Sequence, residues 1–137
     1  MTDDHLQRSQ AAIDVLRVTV ALLILVHGVT RIVGGGVEPF GGWLESQGVP
    51  FGIHQAWAVT VYELVGPSLI IFRRFVTLAC LGHIFILSIG LVLVHALNGW
   101  FVVGAGRNGV EYSVLLIMSL IAISWVHWPE RFLPKGF

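Results

Sequence analysis

Four long apolar stretches leave this chain few ways to fold. They cover residues 11–33, 56–72, 75–97 and 111–128. Each is near the ~20 residues a helix needs to cross a ~30 Å hydrocarbon layer. None alternates apolar with polar residues, and all are too long for ordinary strands. A helix also satisfies its own backbone groups, which lipid cannot do for it. The sequence therefore predicts an all-α integral membrane protein, a single domain over residues 1–137 with four transmembrane helices. Composition agrees: 55% of residues are hydrophobic and 12% charged, where soluble domains carry about 25% charged. Mean hydropathy is +0.82. The opening MTDDHLQRSQ holds two acids, and the apolar run after it lacks a small-residue cleavage pattern. A signal peptide is not expected.

Loop character and charge give an orientation. The first connection, GGGVEPFGGWLESQGVPFGIHQ, is long and glycine-rich. Phe40, Trp43 and Leu44 within it have helical spacing, which predicts a short interfacial helix. The second connection is only Arg73–Arg74, and the third, NGWFVVGAGRNGV, mixes glycines with aromatics. Arg8, Arg17, Arg73, Arg74, Arg131 and Lys135 fall on one side, and only Arg31 and Arg107 on the other. The positive-inside rule then puts both termini in the cytoplasm of a multi-pass inner-membrane protein, with the two long loops outside. Trp43, Trp57 and Trp100 suit an outer aromatic belt, Trp125 and Trp128 an inner one.

Several function classes are excluded. Net charge is zero and no basic tail exists, so nucleic acid is not an expected partner. Cys80 is the only cysteine, which rules out an internal disulfide and a C-x-x-C pair and reads as an inert core thiol. No zinc-protease signature, Walker loop or Gly-x-Gly-x-x-Gly is present.

Polar groups inside membrane helices are costly, so each needs a reason. Arg17, His27 and Arg31 lie within roughly an 80° arc of the first helix. Gly28 sits at its edge, where it allows close helix approach. Asp14 is one turn before Arg17 and is expected to pair with it. Glu63 of the second helix precedes Gly66–Pro67, where a proline kink is expected. His95 ends the third helix and Glu111 opens the fourth. Thus His27, Arg31, Glu63, His95 and Glu111, from all four helices, are predicted to converge on the outer half. His83 lies about 120° from His95 on a straight helix. It reads as a satisfied core histidine, off a stripe formed by Thr77, Ser88 and His95.

Two uses of this cluster compete. In one it is a redox or ligand site. Glu63, Glu111 and His27 are then the catalytic candidates: the carboxylates handle protons and His27, with His95, bonds a quinone or carries protons. Arg31, His95 and Trp100 would hold substrate, Arg31 by attracting an anion. In the other, the groups only satisfy one another and fix helix register. A haem between His27 and His95 is disfavoured because their depths differ by a turn or more, and no metal is assigned. A transporter is a third reading, weakened by the lack of paired broken helices.

These residues resemble the DoxX family of small four-helix membrane proteins. The resemblance rests on Arg17, His27–Gly28 and Arg31; on Gly48–Val49–Pro50; on Glu63 and Gly66; on His95 with Gly99–Trp100–Phe101; and on Gly109, Glu111 and Tyr112. Departures are Pro67 after Gly66, arginine rather than lysine at Arg31, and HWPERF in place of a glycine-rich segment. The resemblance implies a membrane protein of redox metabolism. Some relatives are subunits of a thiosulfate:quinone oxidoreductase, and others work with thiol or oxidative-stress enzymes. It points to a subunit of a quinone-linked oxidoreductase, embedded in the lipid bilayer beside other membrane or redox subunits or further copies of itself. The alternative is a non-catalytic scaffold or assembly subunit.

Overall fold

The structure is a computed structural model and describes residues 2–103 and 108–129. Among the described residues it is wholly helical. Helix α1 is Thr2–Val33, α2 is Val37–Ser46, α3 is Gly52–Ile71, α4 is Val76–Gly90 and α5 is Glu111–Val126. Arg107, Arg131 and Lys135, used above for orientation, lie outside the described residues.

The helix ends follow local chemistry. α1 stops at the glycine triplet, where Gly35 takes φ +64° and the Gly36 amide donates back to the Arg31 carbonyl at 2.8 Å. That left-handed closure suits glycine. α2 is a short helix where the spacing of Phe40, Trp43 and Leu44 predicts one. Pro39 falls in its first turn, where a missing N–H costs little. α3 starts four residues before the expected boundary and runs unbroken through Pro67 to Ile71. α1 starts nine residues early, so the polar opening segment is helical too.

α4 departs most from expectation. After Gly90 it widens into a π-helical turn, Leu91–His95, and then tightens into a 3₁₀ turn, Ala96–Asn98. A π turn inserts about one extra residue, which rotates everything beyond it by roughly 100°. The ~120° expected between His83 and His95 therefore falls to roughly 20°. His95 leaves the stripe assigned to Thr77 and Ser88. Thr77 instead donates to the His127 carbonyl at 2.8 Å, and Ser88 to Ile84 of its own helix.

α1 packs on α3, α3 on α4, α4 on α5 and α5 back on α1, while α2 lies on α3. The central core joins Val20, Ala21 and Ile24 to Ile70, Ala79, Cys80, Leu116, Leu120 and Ile123. A smaller one joins Val37 and Leu44 of α2 to Ala56 of α3. The outer faces stay apolar: Leu22, Val26, Val29, Phe85, Val92, Leu115 and Met118 are all exposed. The segments Asp3–Val33 and Val76–Asn98 are long and apolar enough to cross a membrane, and only 28% and 22% of their most apolar stretches are buried. The buried core helix of a soluble protein would show the reverse. Outward apolar surface on this scale calls for lipid.

At the end of the molecule carrying the α3–α4 turn, Arg17 is 4% exposed. Its Nη1 donates to the Ile70 carbonyl and to that of Ile71 at 2.9 Å. These carbonyls end α3, where the Ile70 oxygen also accepts the Arg73 amide at 3.3 Å, and Arg17 completes the cap from α1. Asp14 bridges Arg17 and Arg73, as expected for Asp14 and Arg17.

Candidate functional site

At the opposite end, Arg31 of α1 meets Glu63 of α3. Nη1 pairs with Oε2, and Nη2 reaches Oε1 at 3.5 Å. The side chains are 18% and 11% exposed. Arg31 also donates to the Thr60 hydroxyl at 3.2 Å, and that hydroxyl donates to the Ala56 carbonyl at 2.7 Å. The guanidinium lies 4.7 Å from the centroid of the Phe40 ring, and Phe40 stacks on Trp43 with centroids 6.1 Å apart. Helix α2 thus lays an aromatic cover over the ion pair, a cation–π arrangement.

Gly28 makes the approach of α1 and α3 possible. A Cβ there would sit 3.1 Å from the Glu63 Cβ and 3.1 Å from the Leu64 side chain. Small residues at a helix crossing act this way in membranes.

The pair borders a cavity of about 600 Å³ between α1, α3, α4 and α5. His27, Arg31, Tyr62, Glu63, His95 and Tyr112 are among its polar lining, together with Gln55, Asn108 and Ser113, and Ile24, Val59, Phe85, Leu93 and Leu116 are among the apolar walls. Such a chamber, mostly apolar with a few convergent polar groups, is the usual form of a small-molecule site. The π turn contributes Leu93, Val94 and His95 to it, and π turns are frequent at functional sites.

Both histidines are oriented by a carbonyl. The Nδ1 of His27 lies 2.9 Å from the Leu23 oxygen, and the Nδ1 of His95 lies 2.7 Å from the Asn108 oxygen. A carbonyl only accepts, so each Nδ1 is the donor in these bonds, and in the neutral tautomer that leaves Nε2 as an acceptor. The two rings can therefore receive O–H or N–H donors. They donate to a carbonyl ligand only when protonated.

The remaining expected residues stand elsewhere. Glu111 does not line the cavity. Its carboxylate accepts from the Val102 amide at 2.8 Å, while its own amide donates to the Trp100 carbonyl at 3.1 Å. It pins the preceding loop to the start of α5, where a negative charge also suits the helix dipole. Trp100 is 56% exposed and acts through that carbonyl. Gly109 allows the fold-back, since a Cβ there would be 2.5 Å from Trp100 backbone atoms. Among the described residues no three His, Cys, Asp or Glu side chains gather closely enough to hold a metal ion.

His83 is buried as expected but not satisfied: among the described residues its Nε2 has no hydrogen-bond partner. The ring packs at 4.8 Å from the Tyr62 ring and against Gly66. Tyr62 in turn sends its hydroxyl to the Ala79 carbonyl at 3.2 Å, over Gly82. Sequence reasoning did not assign Thr60, Tyr62, Tyr112 or Asn108 to the site, although Tyr112 is among the residues that carry the resemblance. Thr60 was findable, one turn before Glu63 on the same face. The other three depend on contacts between helices.

Comparison with known proteins fits this architecture. The DoxX family model matches residues 12–96, which runs from α1 through the π turn. The match includes Arg31, Glu63, His27 and His95 and ends before the Trp100–Glu111 staple. Searches of curated proteins and of solved structures return no match. With its apolar helices and a family match over more than half its length, the chain belongs to the DoxX family of membrane proteins.

Proposed function

We propose that this DoxX-family protein is a membrane subunit of a redox system that holds a quinol or quinone ring in the cavity beside Arg31 and Glu63. One observation carries the reading: two histidines, each with Nδ1 tied to a carbonyl, border an otherwise largely apolar chamber. Their Nε2 acceptors suit the two hydroxyls of a quinol. Oxidation of a quinol releases two protons and two electrons. The imidazoles take the protons, and a partner redox subunit takes the electrons. In reverse, the protonated rings donate to a quinone. An anion such as thiosulfate is less well supported, because it would have to displace Glu63 from Arg31. Glu63 then serves by fixing Arg31 and the cavity wall, and Glu111 by fixing the loop that presents Asn108 to His95.

The same reading places four spans in the inner membrane, α1, α3, α4 and α5, with both termini cytoplasmic. Arg8, Arg17, Arg73 and Arg74 support that orientation. Reporter fusions at the two termini and in the loop after α1 test it. A terminus reporting from the periplasm refutes it.

The direct test is binding. Trp43 lines the cavity, so a short-chain benzoquinol should quench tryptophan fluorescence saturably in nanodisc-embedded protein. His27→Ala and His95→Ala should each weaken binding about tenfold, the worth of one hydrogen bond near 1.4 kcal/mol. Helix content should be unchanged. Unaltered affinity in both variants sinks the proposal. A scaffold role is the second reading, favoured by the internal satisfaction of the Arg31–Glu63–Thr60 group. It predicts no saturable quenching and a stable partner recovered with the protein.

A further inference from the structure

A second cavity, of about 550 Å³, lies at the other end of the molecule, between the α3–α4 turn and the end of α5. Arg73, Thr77, His127 and Trp128 line it together with Phe75, Leu78 and Leu81. The redox reading makes no use of it. Its groups are arranged by polarity along the helix axis. Arg73 sits in the turn, and Leu78 and Leu81 follow on successive turns of α4, 68% and 45% exposed. Trp125 and Trp128 flank the end of α5. A cation, interfacial indoles and an aliphatic strip in that order match the phosphate, glycerol and acyl regions of a phospholipid.

The turn is built to hold this cation. Arg73 and Phe75 both take positive φ, 55° and 51°, without being glycine. Asp14 binds the Arg73 Nη2, which anchors one edge of a guanidinium that carries five N–H donors. On the opposite wall, Thr77 donates to the His127 carbonyl at 2.8 Å, and the His127 Nδ1 sits 3.0 Å from the Ile123 oxygen. These bonds fix α5 against α4 and set the imidazole at the rim.

We infer that this cavity is a specific site for an anionic phospholipid, with Arg73 on the phosphate and the chains along Leu78 and Leu81. The site needs only that the protein resides in a membrane. It stands or falls independently of the quinol reading and of the orientation.

The experiment uses the full chain in nanodiscs of equal phosphatidylglycerol and phosphatidylcholine. Mild release and native mass spectrometry then read the lipids retained on the protein. Wild type should retain phosphatidylglycerol about fivefold over phosphatidylcholine, equivalent to ~1 kcal/mol for one cationic contact at the membrane surface. Arg73→Gln should bring the ratio close to one, and Arg73→Lys should restore most of it. Asp14→Asn removes the ion pair but keeps the cation, and should retain the preference. Circular dichroism verifies that each variant is folded. Equal retention of the two lipids by wild type overturns the site. So does a preference that survives Arg73→Gln, or a loss in Asp14→Asn equal to that in Arg73→Gln, which would assign the effect to the ion pair.

Discussion

Neutralising one partner of the Arg31–Glu63 pair should cost far more than its share of the pair. The guanidinium and carboxylate approach along two N–O lines, with side chains 18% and 11% exposed. At about 4 Å and an effective dielectric of 20, the attraction is about 4 kcal/mol. Glu63→Gln or Glu63→Met leaves Arg31 with the Thr60 hydroxyl at 3.2 Å and the Phe40 ring at 4.7 Å. Those contacts offset about 1 kcal/mol. Each single substitution, Arg31→Met or Glu63→Met, should therefore destabilise by about 3 kcal/mol, within the range for breaking a buried pair. The double variant removes both charges and leaves neither stranded. It should cost at least 2 kcal/mol less than the two singles added together. The assay is a double-mutant cycle by reversible denaturation in mixed micelles, following helix content. Additivity within about 0.5 kcal/mol would mean that the two charges do not interact energetically. The ion pair would then not be the bond holding α1 to α3 at this end.

Gly82→Ala should destabilise by about 1–3 kcal/mol through overpacking, because the new Cβ meets the Tyr62 hydroxyl; thermal denaturation showing no loss would contradict the packing described. Glu111→Ala should raise hydrogen exchange at the Val102 amide about tenfold, from losing a charge-assisted bond worth roughly 1.5 kcal/mol. Global stability should change little, and unaltered exchange counts against the staple. Arg17→Met should destabilise by about 1–3 kcal/mol, since the Ile71 carbonyl loses its side-chain donor and the Ile70 carbonyl keeps only the Arg73 amide at 3.3 Å. Gly28→Leu should separate α1 from α3 and lower thermal stability more than Gly42→Leu, whose position faces open space. Equal melting temperatures for those two variants would refute close packing at Gly28.

Much of this molecule was legible without coordinates. Apolar run length and the need to satisfy backbone groups determined the helices. The spacing of Phe40, Trp43 and Leu44 determined α2, and the position of Asp14 one turn before Arg17 determined their pairing. The stripe on α1 put Arg31 and His27 on one wall of the cavity, because a straight helix obeys a fixed period, although His27 itself stays exposed. The tertiary structure decided the rest. Whether a side chain faces the cavity depends on the phase of its helix, and one π turn rotated His95 out of the predicted stripe and toward the side of His83. Whether a charge is available depends on what it already touches: Arg31 is held by Glu63, and Glu111 by the Val102 amide. Whether a histidine donates or accepts depends on its other nitrogen, and two carbonyls, one local and one across the loop, fixed that for His27 and His95. Periodicity could bring these residues to the membrane and assign most of them to a face. Only the packing of helix on helix could assign them partners, since those bonds join residues far apart in the chain.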